Sequence, residues 1–175
     1  MKNVTFVLDI NGVLADVRKK SAPRVPYDPD LTIPSGQAVY MRPRVSLFCE
    51  RLSDIVENHP EIKVVVWTSR LKANAEPIER YLRDRYGLEA QAYLHGEDCR
   101  SYCGYHPQKS AAVLRELVPE AGHVVFVDDS PKRLALDPDS EAIEVPTYDA
   151  LRHEPFGEAL SATLSKIRFI IQKTE

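Results

Sequence analysis

The sequence predicts an α/β fold, a parallel sheet flanked by helices, on three observations. Apolar runs of strand length recur at residues 4–8, 63–67 and 123–127. Each stops abruptly in polar residues: Asp9 and Asn11 after the first, Thr68 and Ser69 after the second, Asp128 and Asp129 after the third. Segments with helical spacing separate them, and no repeat or linker divides the chain. Continuous rather than alternating apolar residues mark strands buried on both faces, and strand–helix alternation is the pattern of a parallel sheet covered on both sides. A chain of 175 residues, 43% hydrophobic, can bury a substantial core as one domain spanning 1–175.

The first run organises the rest. It is a buried strand that delivers Asp9, then Asn11 and Gly12, to its carboxyl end, and in open α/β sheets ligands bind outside the carboxyl ends of strands. Asp, Asn and Gly are also ordinary turn formers, so this stretch alone leaves a polar turn as an equal reading. Residues 15–40 hold Pro23, Pro26, Pro29 and Pro34, a density that forbids a long helix. They are expected to form a flap insertion, a hairpin or ordered cover over the site. Its basic residues Arg18, Lys19, Lys20 and Arg24 follow the first strand closely enough to meet an anionic substrate, although such clusters are more often a solvated face.

A helix is expected from Pro43, which suits a first helical turn, to Asn58, with Val45, Phe48, Leu52, Ile55 and Val56 on one face. A second spans 75–86 and stops at Gly87, a suitable C-cap. Residues 90–94 read as a short strand and 95–106 as a loop. A third helix over 107–118 would put Lys109 in its first turn. Anions, not cations, are favoured there, so Lys109 is either a solvated lysine or the partner of an anion held by that turn's free amides. Asp128 and Asp129 repel each other unless a cation or hydrogen bonds offset them. A divalent metal ion is the economical explanation, and capping of a short helix begun at Ser130-Pro131 is the other. Residues 143–145 read as an edge strand before Pro146, and 158–172 as an amphipathic helix with Leu160, Leu164, Ile167 and Ile171 inward.

A net charge of −3 gives no global nucleic-acid or membrane signature, and no apolar run resembles a signal peptide or membrane span. With three cysteines, Cys49, Cys99 and Cys103, an odd number, the expected location is a reducing intracellular compartment, cytoplasmic or nuclear. Cys99 and Cys103 with His95 and His106 lack the paired-cysteine spacing of a structural zinc site and read as ordinary loop residues.

The four tips in this order, Asp9-Ile10-Asn11-Gly12-Val13-Leu14, then Thr68-Ser69, Lys109 and Asp128-Asp129, resemble the four motifs of the haloacid dehalogenase superfamily over nearly the whole chain. Arg42-Pro43 with Phe48, the stretch ending in Trp67-Thr68-Ser69, and Val127-Asp128-Asp129-Ser130-Pro131 are similar to the branch of phosphatases acting on the RNA polymerase II C-terminal domain, the NLI-interacting-factor-like branch. The resemblance implies a Rossmann-like sheet and a magnesium-dependent phosphatase. Asp9 would be the nucleophile that forms an aspartyl-phosphate; Asp9, the Asn11 carbonyl, Asp128 and Asp129 would hold Mg2+; Thr68, Ser69 and Lys109 would bind phosphate. Neither long gap between motifs holds a cap domain, so the site is expected to be capless and its substrate large: a phosphorylated protein, on phosphoserine or phosphothreonine, or the phosphorylated end of a nucleic acid. The Asp9 and Arg42-Pro43-Arg44 stretches are also similar to polynucleotide 3′-phosphatase domains.

Asn11 departs from the family pattern, which commonly has Asp there to protonate the leaving group and activate water. An amide does neither. Three readings stay open at this point: an enzyme using another base, a pseudophosphatase that binds phosphate without turnover, or a form with Asp replaced to trap substrate.

Overall fold

The computed structural model describes residues 3–152 and 157–174. Its centre is β1 (Val4–Leu8), buried at every position because both faces are covered. β1 pairs in parallel with β5 (Ile62–Trp67) on one side and β9 (His123–Asp128) on the other. β6 (Ala92–Leu94) continues the sheet beyond β5, and β10 (Ser140–Glu144) lies beyond β9 as the opposite edge, giving the order β10-β9-β1-β5-β6. Leu8 is level with Val66 and Val127, so the three polar tips leave the sheet side by side.

Successive side chains on a strand face opposite ways, which divides the core in two. Val4, Phe6 and Leu8 pack with Val64, Val66, Val125 and Val127 under α1 (Val45–Asn58), α2 (Lys72–Tyr86) and α4 (Glu158–Thr174). Val7 packs with Val65, Trp67, Val124 and Phe126 under α3 (Ala111–Leu117). α4 buries the four expected residues and adds Thr163. No helix of the described residues is long and apolar enough to cross a membrane.

The flap is a small antiparallel sheet of β2 (Ala15–Arg18), β3 (Leu31–Thr32) and β4 (Ala38–Met41), in the order β2-β4-β3. The expected loop at 95–106 instead contains a 3-10 turn, Gly96–Asp98, and starts a hairpin of β7 (Ser101–Cys103) and β8 (His106–Gln108).

Three helix starts differ from the sequence expectation, each for a tertiary reason. α1 begins at Val45, so Pro43 lies outside it and Arg44 adopts the left-handed conformation, φ 64°. The turn is fixed from both sides: Arg42 N–H donates to the Leu14 carbonyl at 2.9 Å, and the Gly157 backbone is pressed so close that a Cβ there would meet the Pro43 carbonyl at 2.7 Å. α2 begins at Lys72 rather than Ala75 because the Glu97 carboxylate accepts the Lys72 N–H at 3.0 Å, a cap supplied from 25 residues away. α3 begins at Ala111, so Lys109 is not in a helical first turn. Its carbonyl accepts the Ala135 N–H at 2.9 Å, and Ala111 N–H donates to the Ala135 carbonyl at 3.1 Å; this pairing keeps residues 109–110 extended.

Arg42, only 2% exposed, fastens the loop after β1. Its guanidinium donates to the carbonyls of Gly12 (3.2 Å), Val13 (3.1 Å) and Pro146 (2.9 Å) and lies 5.5 Å from the Tyr148 ring centroid. Buried carbonyls left without a donor cost about 1–3 kcal/mol each. Arg42→Ala is therefore expected to lower the unfolding free energy by about 3 kcal/mol or more, read from urea denaturation.

Candidate active site

Asp9, at the end of β1, is 8% exposed, and Lys109 and Asp128 are 5% exposed. The Lys109 ammonium donates to Asp9 Oδ1 at 2.9 Å and to Asp128 Oδ2 at 2.7 Å. Asp128 Oδ1 also accepts the Ser130 N–H at 2.8 Å, so this acid both pairs with the lysine and starts the Pro131–Arg133 turn. Asp129 completes the group: one oxygen from each of Asp9, Asp128 and Asp129 lies within 4.8 Å of the others. Three or more potential metal-ligating side chains converge only here among the described residues.

Gly12 makes that approach possible. Its φ is +88°, and a Cβ would fall 2.2 Å from Asp129 Oδ2. Only glycine supplies both the left-handed backbone and the space.

Electrostatics follow from a cluster of three acids, two of which share one base. Burial pushes the Asp9 carboxyl from 3.8 up to about 6; Lys109 opposes this, while Asp128 and Asp129 add to it. Burial would lower Lys109, but the Asp9 and Asp128 carboxylates outweigh it and hold the ammonium above its ordinary range. Lys109 is thus charged throughout the useful pH range, fixed where an anion can meet it.

The acids and Lys109 line a cavity of about 230 Å³, with Asn11, Ser69, His106 and Arg133 on its wall. A larger cavity of about 860 Å³ lies between residues 144–152 and α4 and contains none of the three acids; the convergent charge, not the volume, marks the site. Thr68 is fully buried behind the wall, and its Oγ1 accepts the Arg70 N–H at 3.3 Å. Ser69 is the exposed hydroxyl. Asn11 Oδ1 accepts the Val17 N–H of the flap at 2.9 Å.

Among the flap's basic residues, Arg18 is engaged elsewhere: its guanidinium contacts Asp16 and Asp149, each at 2.8 Å. Lys19, Lys20 and Arg24 are exposed. The four cysteine and histidine residues at 95–106 do not gather. His95 is buried against Glu79 at 3.0 Å, whereas Cys103 is exposed. His106 and Arg133 reach the cavity without any signal in their own sequence neighbourhoods, since a hairpin and a turn bring them there.

Five parallel strands in this order, with a carboxylate at the tip of the central one and paired acids on its neighbour, define the haloacid dehalogenase class of phosphatases. Within it, the chain belongs to the NLI interacting factor-like phosphatase family, whose sequence profile matches residues 4–174. No curated protein gives a significant sequence match. The fold is similar to that of fission yeast RNA polymerase II CTD phosphatase Fcp1 bound to beryllium fluoride, with 17% identity, a TM-score of 0.54, and coverage of 95% of this chain and 51% of that one. It is also similar to a second structure of Fcp1, described as an essential RNA polymerase II CTD phosphatase, with 20% identity, a TM-score of 0.53, and coverage of 84% and 42%. The chain therefore spans about half the length of these structures or less, and at such identities the likeness concerns the fold.

A raised Asp9 pKa means that the folded chain keeps a proton which the unfolded chain has released between 3.8 and about 6. Stability from this group is present at low pH and is lost as pH rises through that window. In chelator, Asp9→Asn is expected to flatten the loss between about pH 4 and 6 and to raise stability at pH 7 by about 1–3 kcal/mol, measured by urea denaturation across pH.

Proposed function

We propose that the chain is a magnesium-dependent phosphomonoesterase that works through an aspartyl-phosphate on Asp9 and acts on phosphoserine or phosphothreonine in protein. The observation that carries this reading is the cluster of three acids, two of them paired with buried Lys109, open to a cavity at the carboxyl edge of the sheet. Membership of the phosphatase family supports the reaction class. The similar fission yeast protein is a phosphatase of the RNA polymerase II CTD, with beryllium fluoride bound, which suggests the substrate class. Three free cysteines suit the reducing intracellular location, cytoplasmic or nuclear, proposed with it.

The donor set fits a hard divalent cation: three carboxylates each bring an oxygen within 4.8 Å of the others, and oxygen ligands suit Mg2+. Asp9, Asp128, Asp129 and the Asn11 main-chain carbonyl would hold it. When bound, the ion supplies charge neutralisation for the phosphoryl oxygens.

The chain's own residues then divide the work. Asp9 attacks phosphorus, forming an O–P bond as the bond to the substrate oxygen breaks, and water later cleaves the acyl-phosphate. Lys109 and the Ser69 hydroxyl meet the non-bridging oxygens, where fixed donors stabilise the transferring group; Thr68, expected there from the sequence, is fully buried and instead accepts the Arg70 N–H, which supports the turn that carries Ser69. Asn11 can donate a hydrogen bond to the leaving oxygen but transfers no proton. Turnover on alkyl phosphates is therefore weak, while binding persists.

Phosphate release should be followed with phosphopeptides and with 3′- and 5′-phosphorylated oligonucleotides, with and without Mg2+. Asn11→Asp is expected to raise turnover roughly 10²-fold, the range for positioned acid–base catalysis, and more on phosphoserine than on aryl phosphates. Asp9→Asn should abolish it. Preference for 3′-phosphorylated DNA would move the assignment to polynucleotide end-processing, for which exposed Lys19, Lys20 and Arg24 on the flap provide the charge. No release from any substrate, even by Asn11→Asp, would instead leave a phosphate-binding pseudophosphatase. A separate calorimetric titration tests the metal: Asp129→Ala should lose Mg2+ binding, and unchanged affinity would make these acids merely structural.

A further inference from the structure

The flap meets the motif tips at Val17, and that junction has a definite chemistry. β2 is an edge of the flap sheet, and edge strands carry backbone groups that need partners from outside the sheet. Val17 in β2 uses both of its backbone groups this way. Its N–H donates to Asn11 Oδ1 at 2.9 Å, and its carbonyl accepts from Arg70 Nη2 at 3.3 Å. Arg70 Nη1 also donates to Gln37 Oε1 at 3.0 Å, on the turn leading into β4. The other end of Arg70 is fixed to the sheet: its N–H donates to Thr68 Oγ1 and its carbonyl accepts the Gly96 N–H at 2.7 Å.

We infer that Arg70 is a positioning residue that latches the flap to the tip of β5 and, by fixing Val17, sets the orientation of the side chain at position 11. A guanidinium suits this task because its planar fork reaches two acceptors at once; a lysine ammonium is a point charge without that geometry. Asn11 and Arg70 hold the two backbone groups of the same flap residue along one open edge, so loss of either contact loosens the other. The catalytic consequence rests on the phosphatase reading above. The latch itself does not.

The test separates these two levels. In hydrogen exchange followed by NMR, the Val17 amide should exchange at least about tenfold faster in Arg70→Gln than in the parent, as expected for loss of a charge-assisted hydrogen bond. Amides in β1 and β9 should be unchanged. Arg70→Lys should show an intermediate effect and serves if the glutamine variant folds poorly. Unchanged Val17 protection in both variants would overturn the latch whatever the activity.

For catalysis, Arg70→Gln is placed in the Asn11→Asp background. Because the residue at position 11 acts on the leaving group, kcat for phosphoserine peptide should fall about tenfold or more, while kcat for an aryl phosphate and KM for both change little. An equal fall on both substrates would overturn the positioning role and make Arg70 a phosphate ligand or a general support. If Asn11→Asp has no activity, the phosphatase reading fails, and the exchange measurement still decides whether the latch exists.

Discussion

Lys109 stands between two carboxylates that would otherwise repel each other at the centre of the molecule. Asp9 and Asp128 come from adjacent parallel strands whose register brings their tips level, so the sheet itself forces them together. With the ammonium 2.9 Å from one and 2.7 Å from the other, one positive charge offsets their repulsion without cancelling both charges, and Asp129 adds a third negative charge. The excess negative charge makes the site receptive to a cation, and the buried ammonium makes it receptive to an anion. In the proposed reaction, a phosphate monoester arriving with a divalent ion would bring both.

The backbone around the acids is held with similar care. Gly12 lets the loop after β1 pass against Asp129, and its carbonyl takes hydrogen bonds from both Arg42 and the Tyr148 N–H. Val145 N–H donates to the Asp128 carbonyl at 3.0 Å. The segment after β10 therefore braces both acidic tips from behind. A buried arginine that satisfies three carbonyls is costly to remove because every partner is left unpaired. Rigid support of this kind suits chemistry that depends on placing a carboxylate within bonding reach of phosphorus.

The flap joins this frame by side chains rather than by extending the sheet. Arg18 binds Asp16 and Asp149, the Tyr27 hydroxyl donates to the Ala150 carbonyl at 3.0 Å, and Arg70 and Asn11 share Val17. The flap's basic residues that looked free in the sequence thus divide into one structural residue and three exposed ones. Arg18 is the structural one, and Lys19, Lys20 and Arg24 are the exposed three.

By itself the sequence determined the parallel sheet, the order of its tips and the identities of the acids, because burial on both faces writes a continuous apolar run and the strand must end where the run ends. The amphipathic face of α4 and the C-cap at Gly87 were equally legible, being matters of spacing and of one residue's backbone freedom. Only the tertiary structure decided where Lys109 sits. Helical periodicity placed it in a first turn, but pairing with Ala135 holds it extended and turns it onto Asp9 and Asp128. The same holds for the Glu97 cap of α2, the Arg42 clamp and the Arg70 latch, whose partners lie 25 to 104 residues away. Local patterns record which side of an element meets the core; they carry no record of which distant backbone group an individual polar side chain will reach, since that depends on how the strands are ordered and aligned.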